Sequence, residues 1–88
     1  MVSSMLTDLQ VKILKVIAEM NEKGEKPSIT DVAKITGHTY DCVLKNIRYL
    51  EDKHLITNKS FGWKASLHIT TKGEELLKLI IRIEEMLR

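Results

Sequence analysis

Proline occurs once and glycine four times in 88 residues. Such sparse punctuation argues against a many-turned β fold and favours long helices. Cysteine occurs once, as Cys42. That excludes an internal disulfide and fits a reducing, cytoplasmic setting. No apolar run approaches the roughly 20 residues that a membrane-spanning helix needs. The opening MVSSMLTDLQ has neither the basic start nor the apolar centre of a secretory signal. Neither sign of charge is in large excess, with 14 Lys and Arg against 12 Asp and Glu, so the net charge of +2 names no partner. There is no Gly-rich phosphate loop and no Ser-His-Asp spacing, so an enzyme is not expected.

What is present is one small domain, 1–88, with a hydrophobic fraction of 43% that suits a globular core. The positive charge is localised. Residues 38–72 hold Lys45, Arg48, Lys53, Lys59, Lys64 and Lys72 against Asp41, Glu51 and Asp52, an excess of three. Residues 1–37 carry five charges of each sign, and 73–88 carry three basic against four acidic. A basic patch in mid-chain is the footprint to look for in a nucleic-acid binder.

Taken in order, Thr7 and Gln10 have the spacing of a capping box, and Leu6 and Val11 that of a hydrophobic staple. Leu9, Ile13, Ile17 and Met20 then recur at three and four residues, which predicts a helix stopped at Gly24. Thr30 is a candidate cap for a short helix, Asp31 to Thr36, with Val32, Ala33 and Ile35 as its apolar residues. Gly37 suits a left-handed C-cap. Thr39 can cap a further helix running to about Lys53, with Val43, Ile47 and Leu50 on one face. Asp41, Lys45, Arg48 and Asp52 fall on the opposite face. Leu55–Thr57 and Ser66–Thr70 read as the strands of a hairpin with a basic tip. Thr71 with Glu74 offers a capping box into the last helix, and Thr70 is an equal candidate. That helix holds more apolar residues than one buried stripe requires. One seam can cover the domain while another meets a second copy of the chain, with Leu76, Leu77, Ile80, Ile81, Ile83 and Leu87 as the seam residues.

The order helix, short strand, helix, helix, hairpin, helix is that of a winged helix-turn-helix, mainly α with a small β-hairpin. Val32-Ala33-Lys34-Ile35-Thr36-Gly37, Val43, Leu50, Leu55-Ile56 and Leu67-His68-Ile69-Thr70-Thr71-Lys72-Gly73 together resemble the MarR and PadR type of winged-helix transcription regulator. They also resemble short archaeal relatives with a C-terminal dimerisation helix. One departure is His54, where many relatives have Gly; histidine tolerates a positive φ better than most residues. No counterpart of the N-terminal dimerisation helix of full-length MarR proteins is expected, and the resemblance then assigns that role to the last helix.

The resemblance implies a homodimer on double-stranded DNA, with the second helix of the pair in the major groove and the wing on the backbone. Carried over by position, the DNA contacts are Thr39, Tyr40, Asp41, Lys45, Arg48 and Tyr49 on that helix, and Lys59 and Lys64 on the wing. Asp41 and Asp52 oppose phosphate. A protein-interaction module and an architectural DNA binder with little sequence preference therefore remain open alternatives. Trp63 is expected to fold back onto the domain, and His68 to face the surface. His38 and Cys42 are four residues apart, but no second pair of ligands accompanies them, so no metal or other cofactor is expected. No effector pocket is readable.

Overall fold

The computed structural model describes residues 6–61 and 64–88, the side chains of 60, 61, 64 and 65 excepted. Its elements are α1 (Asp8–Glu22), α2 (Ile29–Thr36), α3 (Tyr40–Asp52), β1 (Ile56–Phe61), β2 (Lys64–Ile69) and α4 (Thr71–Met86).

Local chemistry sets most of the helix boundaries. At the start of α1, Thr7 Oγ1 accepts the Gln10 N–H at 3.1 Å and Gln10 Oε1 accepts the Thr7 N–H at 3.0 Å. This is the reciprocal box that the spacing predicts. Its other end closes through Glu25 N–H to Met20 O at 2.8 Å and Gly24 N–H to Asn21 O at 2.9 Å, with Gly24 left-handed at φ +80°. That is the Schellman pattern, in which a positive-φ residue lets two amides return to orphan carbonyls. The end of α3 repeats it: Leu55 N–H reaches Leu50 O at 3.0 Å and His54 N–H reaches Glu51 O at 2.9 Å. Here the left-handed position is filled by His54, at φ +62°.

One cap differs from the sequence expectation, and one is decided between the two candidates the sequence offers. α2 begins two residues before Asp31, at Ile29, because Ser28 rather than Thr30 is its cap; Ser28 and Asp31 form a capping box at 3.1 and 2.9 Å. The earlier start adds Ile29 to the buried face. Ile29, Val32, Ala33 and Thr36 point inward, the i, i+3, i+4, i+7 row of one helix face. Ile35 is 53% exposed. Thr36 can replace an aliphatic residue there because its hydroxyl donates to Val32 O at 2.8 Å. For α4 the cap is Thr70, whose Oγ1 accepts the Gly73 N–H at 3.0 Å, and not Thr71.

The hairpin strands are longer than expected and pair antiparallel from Ile56↔Ile69 to Phe61↔Lys64. The short strand expected ahead of the helix pair is absent among the described residues, where the sheet has two strands. Other groups take its place along β2. Pro27 O accepts the Leu67 N–H at 2.9 Å. The Asn21 amide accepts from Ile69 N–H at 2.8 Å and donates to Leu67 O at 3.1 Å. One buried carbonyl and one side-chain amide thus supply the partners that strand backbone must have.

The core lies between α1, α2, α3 and the hairpin. Ile13, Leu14, Ile17, Val32, Val43, Ile47, Leu50 and Leu67 are fully buried. α4 closes one side with Gly73, Leu77 and Ile80. Further along that row the exposed Glu84 pairs with Lys15 of α1 at 2.8 Å. Gly73 is required by proximity: a Cβ there would run into the Leu55 carbonyl oxygen.

Gly73→Ala should therefore lower unfolding free energy by about 2 kcal/mol, the scale of overpacking a tight contact. His54→Gly should raise it by roughly 0.5–1 kcal/mol, since relief of left-handed strain exceeds the added chain entropy. Chemical denaturation of the two variants checks both signs.

Candidate nucleic-acid interface

Gly37 turns the chain between α2 and α3 at φ +73°, and the Gly37 and His38 amides both reach Ala33 O, at 3.0 and 3.1 Å. Thr39 then caps α3, its Oγ1 accepting the Cys42 N–H at 3.3 Å. The positive end of the helix dipole lies at this exposed cap. Val43, Ile47 and Leu50 have no exposure and fix the inner face of α3. Their burial turns Asp41, Lys45, Arg48 and Asp52 to solvent along the outer face, as the 100° advance per residue requires.

The expected contact residues of α3 and its cap, and Lys59, can be placed on that frame. Thr39, Asp41, Lys45 and Arg48 are exposed, and Tyr40 is 49% exposed at the first position of the helix. Tyr49 stands at the shoulder, where the Lys53 ammonium lies 5.6 Å from its ring centroid. Lys59 is exposed on β1. The Lys64 side chain and all of Trp63 lie outside the described residues. The six α3 positions thus share one element, and Lys59 lies on the strand that follows it. The charges on the outer face are mixed, two basic and two acidic.

Cys42 is a free, half-buried thiol. No group of three or more His, Cys, Asp or Glu side chains among the described residues is arranged to hold a metal ion. His68, expected at the surface, is half-buried, with Nε2 3.3 Å from Ser66 Oγ.

The apolar seam of α4 is redrawn. Leu77 and Ile80 lie within the chain's own core, 7% and 3% exposed, and Leu76 packs beside them. The uncovered residues are Leu79, Ile81, Ile83, Met86 and Leu87. At 100° per residue Leu79, Ile83 and Met86 form one stripe, with Leu87 at its margin. Sequence reasoning missed Leu79 and Met86 as principal seam members because α4 carries more than one apolar row. It also passed over Asn46, a half-buried polar residue on the inner side of α3 whose partner lies 36 residues away. No helix among the described residues is long and apolar enough to cross a membrane.

No protein-family model matches the chain, and no curated protein does. Solved structures match closely. The transcription regulator MepR of Staphylococcus aureus superposes with a TM-score of 0.84 and 24% identity, over 97% of this chain and 64% of that one. AF1382 from Archaeoglobus fulgidus has a TM-score of 0.85 at 17% identity, over 99% of this chain and 96% of that one. The fold is a MarR-type winged helix. MepR in complex with DNA also matches, with a TM-score of 0.81 and 22% identity over 93% of this chain and 67% of that one. Against two further MepR structures the chain spans 59% and 61% of the other chain's length, so it corresponds to part of those MarR-type proteins.

Within this MarR-type fold, Thr39 has a local duty testable apart from any ligand. Thr39→Ala should cost about 1 kcal/mol of stability through loss of the cap, and Thr39→Ser should restore most of it. Urea denaturation of the pair checks this.

Proposed function

We propose that the chain is a homodimeric DNA-binding transcription regulator, with α3 in the major groove and the wing on the backbone. The observation that carries the reading is the division of α3. Its inner face is sealed by Val43, Ile47 and Leu50, and its outer face offers Thr39, Tyr40, Lys45 and Arg48 to solvent from a turn set by Gly37. Lys45 and Arg48 supply phosphate affinity, and Thr39 and Tyr40 carry hydroxyls for phosphate oxygens or base edges. Tyr49 extends this surface at the shoulder, and Asp41 suits an amino group on a base edge better than a phosphate. Lys59, with Lys64, places positive charge on the wing. MepR, which shares the fold, has been solved with DNA bound. Support for the dimer comes from the uncovered stripe Leu79, Ile83, Met86 with Leu87, which a second copy would bury along a two-fold axis. Half-sites would then lie about one helical turn apart.

The acidic pair on the outer face, Asp41 and Asp52, keeps a second reading in view, a winged helix that docks protein instead of DNA. Binding to duplex DNA across a range of salt separates the two. Regulator and architectural binder both give affinity that falls with salt, and only the regulator discriminates among sequences. No salt-dependent binding at all leaves the protein-docking module.

Two variants test the parts of the proposal singly. In Lys45→Ala/Arg48→Ala, affinity should drop and the slope of log K against log salt should shrink by about 0.9 for each phosphate no longer neutralised, with folding intact. An unchanged slope would move the DNA-binding face off α3. Leu79→Asp/Ile83→Asp should sediment as a folded monomer, whereas a dimer that persists would discard the α4 stripe.

A further inference from the structure

Gln10 and Thr36 are the buried polar side chains among the described residues, and Thr36 is satisfied within its own helix. Gln10 is not. Its Oε1 serves the α1 cap, and its Nε2 donates to Asn46 Oδ1 at 3.1 Å. Asn46 Nδ2 in turn donates to Cys42 O at 2.8 Å, one turn earlier in α3. A chain of hydrogen bonds therefore runs from the first turn of α1 into the first turn of α3, beside Thr39, Tyr40 and Asp41.

The other inner side chains of α3 are aliphatic, Val43, Ile47 and Leu50 with Leu44 beside them. Its remaining hydrogen bonds to α4 and the hairpin lie at and beyond its C-terminal end, away from Thr39, Tyr40 and Asp41. Aliphatic packing is non-directional, and cores lose unique geometry before they lose stability. A hydrogen bond holds its partners within a few tenths of an ångström. A side-chain tip lies about 5–6 Å from a helix axis, so a roll of roughly 20° carries it about 2 Å. That distance breaks hydrogen bonds to base edges, while long lysine and arginine side chains can still follow a phosphate.

We propose that Gln10 and Asn46 are positioning residues that fix the roll of α3, and so set sequence discrimination without adding to phosphate affinity. The inference rests on the reading of α3 as the DNA-contacting helix.

The test is Gln10→Met/Asn46→Leu, which removes both hydrogen-bonding partners and orphans neither. If the double variant does not fold, Gln10→Met alone serves, since the half-buried Asn46 can take water. The probes are a duplex selected by the wild type from random sequence and a pool of unselected duplexes. The expected result is a folded protein whose preference for the selected duplex falls about tenfold, the cost of one mismatched base pair, with pool affinity and salt slope unchanged. Preference equal to the wild type overturns the inference. So does a parallel loss on both probes, which would mark a general structural role. Should the wild type show no preference among sequences, the regulator reading fails by itself. The amide resonances of residues 40–49 in the free protein then decide: exchange broadening along α3 in the variant supports the positioning role, and unchanged shifts and line widths refute it.

Discussion

Successive carbonyls at the end of α3 are held by the segment that begins α4. Thr70 N–H donates to Leu55 O at 3.0 Å, Thr70 Oγ1 to His54 O at 2.7 Å, and the Lys72 ammonium to Lys53 O at 3.0 Å. Lys53 O, at the C-cap, is among the carbonyls that a helix C-terminus leaves without intrahelical partners, and His54 O and Leu55 O lie in the turn just beyond it. The groups that hold all three belong to the chain leaving the hairpin. The end of α3, the base of the wing at Ile56↔Ile69 and the start of α4 therefore form one joint. Gly73, pressed against Leu55 O, is where the joint admits no side chain. Whatever α3 docks against, the wing and the last helix are set relative to it by these contacts.

A second constraint operates along β2. A two-stranded ribbon is marginal alone, and it needs something to pack against and something to cover its edge. α1 provides both, burying Ile13, Leu14 and Ile17 and presenting the Asn21 amide to Leu67 and Ile69. α1 also reaches α3 through Gln10 and α4 through Lys15. The first helix is thus the frame on which the exposed elements hang.

The balanced charge on the outer face of α3 shapes the proposed DNA contact. Asp41 and Asp52 offset Lys45 and Arg48, so counterion release from this helix alone is modest. Under that reading, affinity draws on the wing lysines and on two copies acting together, and discrimination depends on how accurately α3 is oriented.

Much of this was legible in the sequence, because capping and turn signals are local. Thr7 with Gln10, Gly24, Gly37, Thr39 and the left-handed His54 each act within a few residues of chain, and the winged-helix order follows from them. The face of α3 was legible too, since Val43, Ile47 and Leu50 leave no competing apolar row. Other features depended on neighbours remote in sequence. Ile29 joined Val32 and Ala33 on the inward face of α2 while Ile35 stayed exposed, once Ser28 set the start of the helix and α1 lay against it. The strand expected before α2 was replaced by Asn21 and Pro27, which no periodicity foretells. In α4 more than one row is apolar, so sequence could count the surplus but not assign it. Only the close approach at Gly73 decided that Leu77 and Ile80 turn inward and that Leu79, Ile83 and Met86 stay bare. At Thr7, Gly24, Gly37, Thr39 and His54 sequence by itself determined where helices start and stop, because those choices are made by hydrogen bonds within a single turn. Tertiary structure alone decided which faces meet, because burial depends on what lies opposite.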